Sequence, residues 1–190
     1  MTFLSEPPTT PEVQALYDAD VAGRGYVMNL SRTWAHHPEA HDVLFDLLRD
    51  VAARGGLTMR ERAVLVTACA STMGDPYCSL AWGTKLAEEA TDAAAASVLA
   101  GGDGGLTDAE RALATWARQV ATDPNATTEA DVQRLRDAGY SDGQVFAITA
   151  FTALRLAFST INDALGAVPD DELREAAPAA VRDAVTWGRS

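Results

Sequence analysis

The string Asp75-Pro76-Tyr77-Cys78 concentrates the chemistry of this chain. Aspartate at a helix N-cap and proline at the first helical position would open a helix and put the Cys78 amide at the third position of its first turn. Unpaired amides and the positive end of the helix dipole favour a thiolate there, which would bring the thiol pKa below its ordinary value of about 8.5. The Asp75 carboxylate opposes this by repulsion. It could also accept or deliver a proton if an apolar pocket lifts its own pKa. The same four residues also read as a helix cap beside an ordinary packed cysteine. Cys69, in an apolar stretch with Leu65 and Ala68, reads as core. The two cysteines form neither a Cys-x-x-Cys pair nor a disulfide framework, so reduced thiols are expected.

Two further groups could bear on chemistry. His36, His37 and His41 cluster, and His37-x-x-x-His41 has the spacing of two metal ligands on one helical face, with Asp42 or Glu39 as a conceivable third. No glutamate follows the first histidine as in the usual zinc-protease string, and His37 before Pro38 reads as an N-cap. We therefore expect neither a metal nor another cofactor. The other group is Thr152, Arg155, Ser159 and Asn162, which recur at helical spacing on one face of an otherwise apolar segment. A buried guanidinium is costly unless paired, so Arg155 would either meet a carboxylate at a subunit interface or line a pocket and hold an anionic substrate.

Helices must position these groups, because strand signals are nearly absent. Thr10-Pro11 starts a helix to about Asp20, and a short one follows near Val27–Trp34. His37-Pro38 starts another, whose Val43, Leu44, Leu47, Leu48 and Val51 make one apolar face before Gly55-Gly56 stops it. Thr58-x-x-Glu61 and Thr107-x-x-Glu110 are capping boxes sharing the string Leu-Thr-x-x-Glu-Arg-Ala, a likeness that convergence explains as well as duplication. Between them lie helices at about Asp75–Ala90 and Thr91–Leu99, then a glycine-rich turn at Gly101–Gly105. Thr128 opens a short helix closed by Gly139, and Ser141-x-x-Gln144 caps a long one to about Leu165. Pro169–Ser190 reads as one or two helical pieces broken at Pro178.

Composition narrows the function classes. The 190 residues carry 27 acidic and 15 basic side chains, a net charge of −12, and no basic run, which disfavours nucleic acid and anionic membranes. Hydrophobic residues make up 47% of the chain, enough for a real core and a single domain over 1–190. The longest uncharged apolar stretch, Val145 to Leu154, is about half of the roughly 20 residues that span a bilayer. The first residues lack a basic segment followed by an apolar one, so a cytoplasmic protein is expected.

Three strings together resemble the carboxymuconolactone decarboxylase and alkylhydroperoxidase D-like (AhpD-like) superfamily, over roughly residues 26–168, with 169–190 as a helical extension. Asn29-Leu30-Ser31-Arg32-Thr33-Trp34-Ala35-His36-His37-Pro38-Glu39 is similar to the family's N-L-x-R-x-x-A-x-x-P-E segment. Leu57-Thr58-Met59-Arg60-Glu61-Arg62-Ala63-Val64-Leu65 through Gly74-Asp75-Pro76-Tyr77-Cys78 resembles its helix leading into the active-site turn, and Arg155 and Asn162 fit its last core helix. The resemblance implies an all-α helical bundle, an obligate homo-oligomer such as a trimer or hexamer, and a site near subunit contacts. In peroxidase members a glutamate, a Cys-x-x-Cys pair and a histidine form the redox centre. Those positions fall on Ala63, Asp75, Cys78 and Trp82, so only the second cysteine is kept.

The implied function is a single-cysteine, peroxidase-type oxidoreductase acting on a hydroperoxide or other small hydrophobic substrate. Cys78 would be the reactive thiol and Asp75 its proton partner, with Tyr77, Trp82 and Arg155 binding substrate. The alternatives are a redox-independent lyase, decarboxylase or isomerase using Asp75 and Arg155 on a small acid, and a non-catalytic ligand-binding or scaffold member. Trp82 implies a pocket either reshaped for a hydrophobic ligand or closed.

Overall fold

The computed structural model describes residues 2–189, which form eleven α-helices and one short 3-10 turn, with no strand among the described residues. At the centre lies α4 (Met59–Met73), buried without interruption from Ala63 to Ala70. Around it pack α5 (Pro76–Glu89), α6 (Asp92–Leu99), α7 (Asp108–Thr122) and α9 (Asp142–Ala164). Outside α9 lies α3 (Pro38–Gly55), which is flanked by α1 (Pro11–Arg24) and α2 (Asn29–Trp34). The short α8 (Glu129–Asp137) joins α7 to α9, and the tail folds as α10 (Asp171–Ala176) and α11 (Ala179–Ala184) against α5 and α6.

Local chemistry accounts for the helix starts. Thr58 and Thr107 each accept from the backbone of the glutamate three residues on, at 3.2 and 3.3 Å, and each glutamate accepts in return from the threonine N–H at 2.8 Å. The two boxes meet, because Arg60 of α4 reaches across and binds the Glu110 carboxylate with both Nε and Nη2. The repeated string thus lies side by side in space. Gly74, with φ of +75°, ends α4 in the left-handed conformation that only glycine adopts cheaply, and this turn aims Asp75 into the start of α5.

Some boundaries differ from the sequence expectation. The first helix runs on to Arg24 because the left-handed cap falls on Gly25 and not on Gly23. A 3-10 turn at Pro124–Ala126 was not anticipated. At 23 residues α9 is, by length and composition alone, long and apolar enough to cross a bilayer, although its uncharged run stops at Arg155. One face of it packs against α3, α4 and α7 and carries Arg155 and Asn162 inside the fold.

Because the packing of α4 against α5 holds the site, Leu80→Ala, at a fully buried position of α5, is expected to cost about 2–5 kcal/mol in urea unfolding while leaving helical content unchanged.

Candidate active site

The site forms where the start of α5 meets the middle of α9. Asp75 is the N-cap of α5, fully buried, and its Oδ1 accepts from the Cys78 N–H at 3.0 Å. Its second oxygen, Oδ2, has no hydrogen-bond partner among the described residues. On the other side of the sulfur, Arg155 of α9 donates from Nη2 to Cys78 Sγ at 3.5 Å. The Arg155 guanidinium lies over Trp82 and Phe158, with ring centroids at 5.1 and 5.0 Å. Among the described residues no carboxylate comes within ion-pairing distance of it, and its Nε is buried without a partner. Within the chain, Arg155 lines a pocket.

These residues border a cavity of about 680 Å³. Its buried part is bounded by Tyr77, Cys78, Arg155 and Phe158, and it opens past Glu12, Ala19, Glu39 and Asp42, which are exposed. Leu16, Met28, Leu30, Phe45 and Leu173 make the walls apolar. Trp82 thus borders an open cavity rather than closing it. Tyr77, which also lines the cavity, donates its hydroxyl to the buried Asp170 carboxylate, whose other oxygen accepts from the Asn29 amide at 2.8 Å. That contact ties the C-terminal segment to the start of α2.

The electrostatics correct one expectation. The helix N-terminus does not lower the Cys78 pKa. Burial pushes the thiol well up and the Asp75 charge pushes the same way, while Arg155 and the neighbouring Ser159 hydroxyl oppose them only in part. Ser159 sits beside the sulfur without the geometry of a full hydrogen bond. Cys78 therefore rests as a thiol, close to a carboxylate that can take its proton and a cation that can hold the resulting thiolate. Cys69 packs in the core as expected, its thiol directed at the Val66 carbonyl at 3.5 Å and pushed up to about 12 by burial.

The histidines take structural positions. His37 caps α3 by accepting from the Ala40 amide at 3.3 Å, and the His36 ring meets the Ser5 carbonyl. His41 packs edge-on to Trp34 and beside Phe45 on the cavity wall. Among the described residues no group of three His, Cys, Asp or Glu side chains has the arrangement of a metal site. Ser159 was legible as part of the polar face of α9, whereas Phe158 and the part of α1 in the cavity wall, most of whose residues are exposed, left no signal.

Behind Asp75, on α9, the half-buried Asp163 is raised to about 7 by burial first and by the Asp75 charge second, with Arg189 opposing. The folded state thus holds a proton there that the unfolded chain, with a pKa near the ordinary value of about 3.9, has lost. Stability from this group is present at low pH and declines as pH rises from about 4 to 7. Asp163→Asn is expected to raise the melting temperature at pH 8 relative to wild type and to change it little at pH 4, as followed by circular dichroism.

No protein-family model matches the chain, and no curated protein sequence does. Solved structures do. An alkylhydroperoxidase AhpD core, an uncharacterized peroxidase-related protein from Ralstonia eutropha, is 24% identical with a TM-score of 0.79, covering 90% of this chain and 94% of that one. An uncharacterized peroxidase-related protein from a Silicibacter species is 19% identical with a TM-score of 0.78, over 90% and 93% of the two chains. The debrominase Bmp8, as a Cys-to-Ala variant in complex with 2,3,4-tribromopyrrole, is 14% identical with a TM-score of 0.72, over 91% and 95%. The matches extend beyond residues 26–168 to nearly the whole chain, and the protein has the AhpD-like all-helical fold that its sequence resemblance implied.

Proposed function

We propose that the protein is a single-cysteine, peroxidase-type oxidoreductase. The observation that carries this reading is the placement of the Cys78 thiol on a cavity wall between a buried carboxylate and a buried guanidinium that have no ion-pair partners among the described residues. In the resting site Cys78 is a thiol, with Asp75 and Arg155 on either side of it. Transfer of the thiol proton to Asp75 Oδ2 leaves a thiolate against Arg155 with no change in the net charge of the buried group. The sulfur then attacks the distal oxygen of a hydroperoxide and the O–O bond breaks. The electron pair departs on the alkoxide oxygen, which recovers the proton from Asp75. The products are a Cys78 sulfenic acid and an alcohol.

The apolar walls and the cavity volume fit an organic hydroperoxide of drug-like size better than hydrogen peroxide. The aromatic ligand in the debrominase complex suits the same kind of wall. A second reading rests on the unpartnered Arg155 Nε: a small carboxylic acid held there, with Asp75 as base for lyase or isomerase chemistry that spares the thiol. We also propose that the chain self-associates through α3 and α9, where Val43, Leu47, Phe146 and Ile161 are exposed, Phe146 to 73%.

Intact mass after one equivalent of cumene hydroperoxide, with a sulfenic-acid trap, tests the first reading. Wild type is expected to gain one trapped oxygen, Cys78→Ser none, and Asp75→Asn to react about 100-fold more slowly. An unreactive Cys78 beside acid turnover abolished by Asp75→Asn would establish the second. For the interface, light scattering is expected to show an oligomer for wild type and a smaller species for Phe146→Glu.

A further inference from the structure

We infer that the reductant of oxidised Cys78 is a low-molecular-weight thiol entering through the same cavity, and not a protein thiol. The inference rests on the peroxidase reading above. A sulfenic acid needs a thiol to return to the reduced state, and this chain supplies none. The sequence holds one other cysteine, Cys69, which lies outside the cavity wall with its sulfur turned to the Val66 carbonyl. The thiol must therefore come from solution.

Geometry decides its size. Cys78 is 2% exposed, and the cavity is the route by which its sulfur can be reached. In a mixed disulfide between two cysteines the Cα atoms stand about 4.4–6.8 Å apart. A protein reductant would have to bring its own backbone that close to the first turn of α5, inside the fold and past Tyr77, Trp82 and Phe158. A cavity of about 680 Å³ admits a drug-sized molecule but not a folded loop with its flanking chain. A small thiol meets neither obstacle, because its sulfur can lead and the rest can trail toward Glu12 and Asp42 at the opening.

The chemistry closes in two steps. The first thiol gives its proton to Asp75, its thiolate attacks the Cys78 sulfur, an S–S bond forms, the S–O bond breaks, and the hydroxide takes that proton from Asp75 and leaves as water. A second small thiol then attacks the sulfur of the first, a small-molecule disulfide departs, and Cys78 regains its proton. Two thiols lose two electrons in all, matching the two taken by the peroxide. Peroxide and thiol share one cavity, so they occupy it in turn.

The full chain, oxidised with one equivalent of cumene hydroperoxide, would be split between 2-mercaptoethanol and reduced thioredoxin at equal thiol concentration and followed by intact mass. With 2-mercaptoethanol we expect a transient species heavier by one thiol adduct, then the unmodified mass. With thioredoxin the oxidised mass should persist at least about tenfold longer. Ala19→Trp, which narrows the open part of the cavity on α1, should slow oxidation and reduction together, and Cys69→Ser should leave both unchanged. Equal or faster reduction by thioredoxin would overturn the inference, as would a Cys69–Cys78 disulfide in the oxidised wild type. A sulfenic acid that forms but resists 2-mercaptoethanol would overturn the inference and leave the peroxidase reading standing. A Cys78 that never oxidises would remove both.

Discussion

Two opposite charges buried on either side of one thiol set the terms for the rest of this fold. Asp75 and Arg155 are both more than nine-tenths buried, yet they are not bonded to each other. Taking an ion out of water costs several kcal/mol even after a protein relaxes around it. The costs are met separately. Asp75 takes an amide bond from Cys78 as an N-cap, and Arg155 lies across the faces of Trp82 and Phe158, contacts of the type worth about 0.5–2 kcal/mol each. What remains unsatisfied on each, one carboxylate oxygen and one guanidinium nitrogen, is the part available to a proton or a ligand.

Holding this arrangement occupies elements far apart in the chain. Gly74 turns the chain sharply enough for α5 to begin inside the core, and the capping boxes of α4 and α7, joined by Arg60 and Glu110, fix the helix on which that turn hangs. On the α9 side, the Trp34 indole donates to the Asn162 side chain at 2.8 Å, and Trp34 stacks on Phe158 with centroids 5.3 Å apart. Phe158 in turn backs the guanidinium. The C-terminal segment closes the far side: Trp187 packs near Gly74, and Gly188 sits so tightly against Pro76 that a Cβ there would come within 2.5 Å of its ring. Asp163 of α9 also feels the charge of Asp75.

Much of this was legible in the sequence where the cause is local. Caps, first-turn prolines and terminal glycines act within four residues, so the helix starts at Pro11, Pro38, Met59, Pro76 and Asp108 follow from spacing alone. The Asp75 cap and the position of Cys78 in the first turn followed in the same way. Where the cause is tertiary, the sequence was silent or misleading. The dipole argument for a lowered Cys78 pKa is sound for an exposed helix end, but this end is buried and desolvation outweighs the dipole. Nothing near Arg155 in sequence announces that its neighbours are Trp82 and Cys78, the latter 77 positions away. The share of α1 in the cavity wall is equally hidden, because lining a cavity leaves a helix face looking exposed.

The raised pKa of Cys78 is compatible with a nucleophilic role, and the site geometry explains why. Thiolate nucleophilicity falls as thiol pKa falls, so a thiolate produced from a high-pKa thiol is the stronger attacker once formed. That gain per thiolate is smaller than the loss of thiolate at neutral pH, so the peroxidase reading depends on a group beside the sulfur that takes its proton. Asp75 can take the proton without either group leaving the cavity, and Arg155 is already in contact with the sulfur that gains the charge. The charge separation moves by only a few ångströms, within surroundings that stay fixed while it moves. In the resting state the sulfur keeps its proton and its burial, which shields it from oxidants too large or too polar for the apolar walls. The burial that suppresses the resting thiolate also makes the approach to the sulfur apolar.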